Sequence, residues 1–527
     1  MNGTLYGVLA VLITAVSLIP ALKWIRIAQR EQYNTGRIKV FYRLWYFGSG
    51  WSVLGLIVGT LAFVSLCVPT VGRSGHLAAM VVLGACSWLT PVGLRLRGKT
   101  SKLVLTARAK RLIVAFALLV AVAAALGSLF GFGLALAGLG VLASAWVIEL
   151  ALIILSPYED HRMDAFVEQA RATLARIHPW TVGITGSYGK TTTKGYIDTL
   201  VSGTFRTVAS PKSFNNRGGL TRTINEYLVP GTEVLVAEMG TFGPGTIARL
   251  VKWCPPDIAV LTALGPVHLE RFGSEAAILR AKLEIVTPTT KTVVINVDIP
   301  RLSLASNVLE TQGKKVVRVS ATSLGADVCA KLTDDGFIAV YLAAEPIGRV
   351  SVGDLVPSNL ACAVAVATEL GVHPNDIAER LGMIKPQPNR LVSELVPASG
   401  VEILDDTYNS NPAGARRALD ILGSRGGAGA RRIVVTPGMV ELGKRQFGEN
   451  FRFGRDCALV ANFLVVVGRT NRKALVAGAN EGKSVAEGVL EEIVVVKDRA
   501  EALAWVSSHG ASGDVVLYEN DLPDNYP

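Results

Sequence analysis

Residues 180–200 read WTVGITGSYGKTTTKGYIDTL, and the reading of this stretch decides the fold. An apolar, β-prone run over Val182 to Thr185 meets a tight Gly186-Ser187-Tyr188-Gly189 turn, and Lys190, Thr191 and Thr192 then open a helical pattern. The order predicts a strand, a phosphate loop and a helix start. Glycines let backbone N–H groups turn onto a phosphate, the helix N-terminus adds the positive end of its dipole, the lysine reaches the outer phosphates and a threonine hydroxyl ligates Mg²⁺. The spacing is not the ordinary G-x-x-x-x-G-K-T. Five residues separate Gly183 from Gly189 where the general pattern has four, so Gly186 must serve as the first turn of the loop. The bland alternative is a glycine turn with a chance lysine. Strand, loop and helix signals coinciding weigh against it.

The chain has 527 residues, enough for three or four domains that each bury a core. Half of the residues are apolar and the mean hydropathy is +0.39, which points to a membrane portion. The net charge is +11, but residues 1–155 hold fourteen Lys/Arg against only Glu31 and Glu149, so they carry +12 and the remainder −1. The basicity is that of membrane topology, and nucleic acid is not expected as a partner. Six cysteines are scattered without C-x-x-C spacing. They read as reduced core residues, with neither a zinc site nor a disulfide framework.

Five apolar stretches, about 4–25, 50–69, 77–94, 112–132 and 133–155, are each long enough to span a bilayer at roughly 20 residues. The first lacks the basic lead and small-residue cleavage site of a removed signal peptide. Lys23, Arg26, Arg30, Arg37, Lys39 and Arg43 follow the first stretch, and Arg95, Arg97, Lys99, Lys102, Arg108, Lys110 and Arg111 follow the third. Arg73 alone lies between the second and third. This asymmetry predicts a multi-pass plasma-membrane protein with its N-terminus outside and everything after residue 155 in the cytoplasm, the side where ATP is found. Trp24, Tyr33, Phe41, Tyr42, Trp45, Tyr46 and Trp51 border the first basic loop as interfacial anchors would. Only Glu149 is ionisable within the later spans, which favours an anchor in the lipid bilayer over a transporter.

Residues 156–179 form a polar linker of helical pattern that ends at Pro179. Strands at 234–238, 258–262 and 292–296 then alternate with helical stretches such as 278–286, the alternation of a mainly parallel sheet. A second α/β unit starts near 386–391, with strands near 401–405, 433–436, 463–467 and 515–518. The expected organisation is a transmembrane domain over 1–155, the linker, a central ATP-binding P-loop domain over 180–385 and a Rossmann-like domain over 386–527.

Taken in order, TGSYGKTT (185–192), SFNN (213–216), AEMG with GTI (237–247), GPVHLERFGS (265–274), AKLEI (281–285), PNRL (388–391), DDTYNSNP (405–412) and GMVELG (438–443) resemble the Mur ligases, ATP-dependent amide ligases of cell-wall precursor synthesis. Among these the chain looks most like the MurF branch, which adds D-alanyl-D-alanine. The resemblance covers roughly residues 180–515. It implies that a carboxylate attacks the γ-phosphate of ATP, giving an acyl phosphate that an amine converts to an amide. Both steps crowd negative oxygens together, so positioning and electrostatics carry most of the catalysis.

By that resemblance Gly186, Ser187, Gly189, Lys190, Thr191 and Thr192 hold the ATP phosphates, and Thr191 with Glu238 meets the first Mg²⁺. His268 matches the family's second metal ligand. Lys282 matches a lysine that many relatives carry as a carbamate supporting the same ion. Asn359 lies where the family has H-N-x-x-N for the adenine, but Ser358-Asn359-Leu360-Ala361-Cys362 lacks the His and the second Asn. Arg390 and Asp406 match residues that reach the phosphates and ribose, and Asn409 and Asn411 fix their loop. For each of these side chains taken alone the structural alternative stands: a solvated strand end, a satisfied histidine, an exposed helix lysine.

Two departures bear on substrate. The small N-terminal domain that grips a UDP-sugar peptide in the MurF branch is replaced by apolar spans. The branch's basic K-G-S-R motif, which receives the carboxylate of the incoming amino compound, is replaced by Glu519, Asn520, Asp521 and Asp524 in an acidic tail. The tail predicts a cationic or amidated amine, against the alternative of a solvated terminus. Three readings stay open: a membrane-anchored ligase making one amide on a cell-envelope precursor, a polyglutamate-synthase-like polymerising ligase, and an ATP-binding scaffold that recruits cell-envelope synthesis proteins.

Overall fold

The computed structural model describes residues 3–96, 102–353, 355–385, 392–396, 399–407, 410–427, 429–485, 488–522 and 526–527. The chain forms two compact units. One comprises Met1–Arg162 with Gly468–Thr470 and Leu522–Pro527, the other Met163–Val467 with Asn471–Asp521.

The first unit is helical. Among the described residues three helices are long and apolar enough to cross a membrane: Val11–Arg30, Gly50–Cys67 and Ala107–Ser128. By length and composition these account for three of the five expected spans. The third expected span is the shorter helix Gly72–Leu89, stopped where Pro91 offers no N–H to continue it. The fifth is broken into Gly133–Leu142 and Ser144–Ile177, bent by 88°. Glycine explains the first piece. A Cβ on Gly140 would meet Val120 at 2.7 Å and one on Gly138 would meet Leu66 at 2.9 Å, so this ten-residue helix is apolar because it is buried among its neighbours. Short apolar runs of this length read equally as core or span.

Lys23 and Arg26, expected in the first basic loop, instead lie inside the helix Gly3–Arg30 at 4% and 3% exposure. Lys23 Nζ donates to the Ser87 and Trp88 carbonyls at 3.3 and 2.5 Å, capping the last turn of Gly72–Leu89. The aromatic loop is itself a helix, Ile38–Phe47, with Phe41, Trp45 and Tyr46 buried. Residues 156–177, within the expected linker of helical pattern, continue the helix Ser144–Ile177.

The second unit holds two sheets. The first contains β1 (Trp180–Thr185), β2 (Thr207–Ala209), β3 (Val234–Glu238), β4 (Ile258–Leu261), β5 (Thr292–Asn296), β6 (Lys315–Ser320), β7 (Val328–Leu332), β8 (Phe337–Leu342) and β9 (Glu345–Ser351), in the order β2-β3-β1-β4-β5-β6-β7-β8-β9. It is parallel from β2 to β7, and β8 and β9 add an antiparallel edge. Both faces are covered, which is why these strands read as continuous apolar runs. Val182 and Ile184 pack with Tyr196, Ile197 and the buried stretch Leu360–Ala367 on one face. Leu235 and Ala237 pack with Ile247, Leu250, Ile278 and Leu302 on the other. The chain leaves β1 and β3 in opposite directions, and in such sheets the crevice at the carboxyl ends of the strands is where ligands bind.

The second sheet contains β10 (Val392–Val396), β11 (Val401–Asp406), β12 (Arg432–Thr436), β13 (Phe463–Val467), β14 (Glu492–Val496) and β15 (Val515–Glu519), ordered β10-β11-β15-β12-β13-β14. Only β10 runs antiparallel, and the last strand, β15, sits in the middle. The expected boundary at 386–391 lies outside the described residues. All six cysteines are free, four of them buried.

Candidate functional site

The phosphate loop grows from β1. Beyond Thr185 the chain turns and is pinned to the segment after β4: Ser187 N–H donates to the Ala263 carbonyl at 2.8 Å, and Ser187 Oγ donates to the Gly265 carbonyl at 3.1 Å while accepting from Gly265 N–H at 3.0 Å. The fit leaves no room for side chains. A Cβ on Gly186 would come within 2.0 Å of Thr262 Oγ1, and one on Gly189, at φ +82°, within 2.5 Å of Asn359 Oδ1. Gly189 supplies the left-handed turn that starts the helix Lys190–Val201, and Lys190 Nζ folds back onto the Gly186 carbonyl at 2.8 Å. Gly186, Ser187, Gly189, Lys190, Thr191, Thr192 and Asn359 are therefore gathered on one loop and its flanks. Asn359 stands against the loop itself.

Parallel pairing sets Glu238 beside Ile184, at the carboxyl end of β3. Its Oε2 accepts from Thr191 Oγ1 at 2.9 Å and faces Lys194 Nζ at 3.3 Å, and its Oε1 accepts from Asn215 Nδ2 at 3.1 Å. Burial pushes this carboxyl up, but Lys190 and Lys194, with the Asn215 and Thr191 bonds, outweigh that and hold it below the usual range. A hydroxyl and a carboxylate oxygen side by side are the hard donors that suit Mg²⁺. Sequence reasoning missed Lys194 and the role of Asn215. The signal for Lys194 was its i+4 position from Lys190, on the same helix face.

Lys282 lies in the helix Glu275–Leu283 at 2% exposure. Burial first, then the charge of Lys190, holds its amine well below the ordinary lysine value. His268 caps the short helix Leu269–Phe272 with φ +63°. Its Nδ1 meets Glu441 Oε2, and Arg271 donates to Glu441 Oε1 at 2.6 Å. Burial pushes Glu441 up, but the His268 bond and the charges of His268 and Arg271 override it, leaving the carboxyl far below its ordinary range. Glu441 was part of a quoted motif, yet its partner is 173 residues away and no local pattern reveals it. Among the described residues no three His, Cys, Asp or Glu side chains form a ready-made metal cage. Of the expected donors, Thr191 and Glu238 are brought together by their hydrogen bond, Lys282 feels the charge of Lys190, and His268 is engaged by Glu441.

On the second sheet Asp406 ends β11 in register with Glu519, which ends β15. Asn411 caps the helix Pro412–Ser424 by accepting from Gly414 N–H at 3.0 Å. Arg390, Asn409 and Asp524 lie outside the described residues. The expectation of an acidic tail is corrected. Glu519 is fully buried, accepts from Ser410 Oγ and from Thr436 Oγ1 at 2.9 Å, and Asp521 pairs with Arg499 at 2.7 Å. Burial raises the Glu519 carboxyl to about 7, against the lowering pull of the Ser410 bond. Among the described residues of the tail, Glu519 is therefore committed to the interior and Asp521 to an ion pair with Arg499.

The sequence matches the Mur ligase middle domain over residues 184–367 and the Mur ligase glutamate ligase domain over 393–518. The UDP-N-acetylmuramoyl-tripeptide–D-alanyl-D-alanine ligase of Mycobacterium leprae is 32% identical over 369 residues, covering 64% of this chain and 70% of that protein. The Bacillus subtilis protein of the same name is 28% identical over 376 residues, covering 68% and 77%. Among solved structures, MurF from Thermotoga maritima in complex with ADP aligns with a TM-score of 0.55 at 26% identity, over 68% of this chain and 80% of that one. MurF from Acinetobacter baumannii, at 24% identity and a TM-score of 0.58 over 68% and 77% of the two chains, shares the fold. Residues 1–183, which include Met1–Arg162 of the helical unit, lie outside both family matches.

Proposed function

The chain belongs to the Mur ligase family of ATP-dependent amide-forming ligases, which use ATP and Mg²⁺, and from that premise we propose that it joins a carboxylate of a cell-wall precursor peptide to an amine at the cytoplasmic face of a membrane. One observation carries the reading: Thr191 Oγ1 and Glu238 Oε2 stand 2.9 Å apart beneath the loop that holds Lys190.

In this reading the acceptor carboxylate attacks the γ-phosphorus of ATP, ADP departs, and the amine then attacks the acyl carbon with loss of phosphate. Lys190 neutralises charge on the β- and γ-phosphate oxygens as the P–O bond breaks. Gly186, Ser187, Gly189 and Thr192 shape the loop that receives the phosphates. Mg²⁺, when bound, supplies further charge neutralisation, with Thr191 and Glu238 as its first donors and His268 and Lys282 supporting a second ion. Asn359 orders the loop on the adenine side, and Arg390 and Asp406 serve the nucleotide from the second domain.

Lys282 acts as a carbamate. Carbon dioxide adds only to a neutral amine, and burial beside Lys190 favours the neutral form. The amine nitrogen bonds the carbon as one C=O π bond opens, a proton leaves the nitrogen to solvent, and the carbamate so formed is an anion with oxygen donors where an ammonium would repel metal.

The relatives are named for a UDP-linked tripeptide acceptor and D-alanyl-D-alanine, and a stem-peptide carboxylate is the corresponding acceptor here. Three apolar helices support membrane association, with residues 1–155 as the membrane domain, 156–179 as the linker, and 180–385 and 386–527 as catalytic domains. The test is phosphate release by purified full-length protein across stem-peptide carboxylates and amines, D-alanyl-D-alanine included. Release that requires both a carboxylate and an amine, with a new amide in the product, is expected. ATP binding without acceptor-dependent turnover across the set would favour a scaffold.

A further inference from the structure

The loop Gly438–Leu442 is held firmly by its own domain. Asn450, fully buried, accepts from Met439 N–H at 2.7 Å and donates to the Met439 carbonyl at 2.9 Å, while Met439 and Leu442 are buried. Glu441 projects from this braced loop to His268 Nδ1 and to Arg271, and its own carbonyl accepts from Glu270 N–H at 3.3 Å. Both partners carry backbone strain. Glu441 has φ +64° and His268 φ +63°, the left-handed region that non-glycine residues adopt at a cost of order 1–3 kcal/mol and that clusters at functional sites. The contact joins the domain of the first sheet to that of the second.

Building on the proposed function, we propose that Glu441 is a positioning residue: it reaches across from the second domain to fix the His268 ring through Nδ1, so that Nε2 is aimed correctly only while the two domains are apposed. An imidazole bound at one nitrogen by a carboxylate has its tautomer and ring direction set, and the opposite nitrogen is left as the lone-pair donor. Arg271 anchors the other carboxylate oxygen and keeps Glu441 from rotating away. The nearby pair Arg445–Glu275, at 2.7 Å, spans the same two domains without touching His268 and provides the control.

The test uses full-length protein in detergent, labelled with ¹⁵N-histidine. The chain has six histidines, and H268Q identifies the signal of interest. In nucleotide-free wild type His268 should show one fixed tautomer with the proton at Nδ1. In E441A, and in the near-isosteric E441Q if the alanine variant fails to fold, the two ring nitrogens should move toward averaged shifts. The Mg²⁺ concentration for half-maximal phosphate release should rise roughly 10–100-fold, the range found for outer-shell partners of ligating histidines, while KM for ATP stays nearly constant. R445A should change neither. The proposal falls if the Glu441 variants keep the fixed tautomer and the wild-type Mg²⁺ response, or if R445A reproduces their losses, since domain docking alone would then explain them. The ¹⁵N signature is read without turnover. A failure of the ligase reading, seen as phosphate release indifferent to acceptor and amine, is thereby distinguishable from a failure of this one.

Discussion

Lys190 and Lys282 feel each other's charge, and the fold resolves the conflict by giving them different surroundings. Lys190 opens a helix and bonds the Gly186 carbonyl at 2.8 Å, while Lys282 is sealed in a helix where burial and Lys190 together disfavour its ammonium. Lys190→Ala should therefore lower acceptor-dependent phosphate release by at least about 100-fold, because in the proposed mechanism the lost charge faces the transferring phosphoryl group. The fold should persist, as judged by thermal melting. Near-normal release by the folded variant would remove Lys190 from catalysis. Lys282→Ala should be nearly inactive for a different reason, the loss of a carbamate anion, and a short carboxylic acid filling the vacated space should restore part of the rate. Full wild-type activity after exhaustive removal of CO₂ and bicarbonate would refute the carbamate.

At the scale of the element, legibility followed the range of the forces involved. Strands buried on both faces, such as Val234–Glu238 and Phe463–Val467, stand out as apolar runs because local composition and burial coincide. The phosphate loop was legible for a similar reason, since each of its signals lies within a few residues of the next. The His268–Glu441 contact was not, because a left-handed turn and a partner in another domain leave no local trace. Glu519 misled in the opposite direction. Its Glu-Asn-Asp context has the polarity of a solvated terminus, yet it closes the central strand β15 with its carboxyl fully buried. That placement makes a prediction about pH. The folded-state value of about 7 lies above the ordinary 4.5, so between those two values the folded protein holds a proton that the unfolded chain has released. Glu519 then contributes stability that is present at acid pH and lost as pH rises through about 7, on the order of 3 kcal/mol at the limit. Glu519→Gln, neutral throughout, should raise the melting temperature of the second unit more at pH 8 than at pH 5. A melting difference that is flat across that range would show that the carboxyl does not titrate there.

For the whole molecule the deciding constraint is parity. In the proposed membrane reading the catalytic domains lie on the side that holds ATP, and the apolar helices are compatible with two topologies. If only the three long helices cross, an N-terminus outside leads to a cytoplasmic catalytic unit, but residues 90–106 then share the outer side with Gly72. If Gly72–Leu89 and the bent pair Gly133–Leu142 with Ser144–Ile177 also cross, the ends stay where they were and residues 90–106 move to the cytoplasm. The cluster from Arg95 to Arg111 holds seven basic residues and no acid, which positive-inside logic places in the cytoplasm. An eighteen-residue helix rises about 27 Å against a hydrocarbon core of about 30 Å, a mismatch that slight bilayer thinning absorbs at modest cost. Within that proposed reading the charge pattern favours the topology in which Gly72–Leu89 also crosses. A topology reporter at Gly72 should read external, and reporters after Thr100 and at the C-terminus should both read cytoplasmic. If Thr100 instead reports with Gly72 while the C-terminus stays inside, Gly72–Leu89 does not cross, the bent pair is re-entrant, and the three long helices alone set the topology.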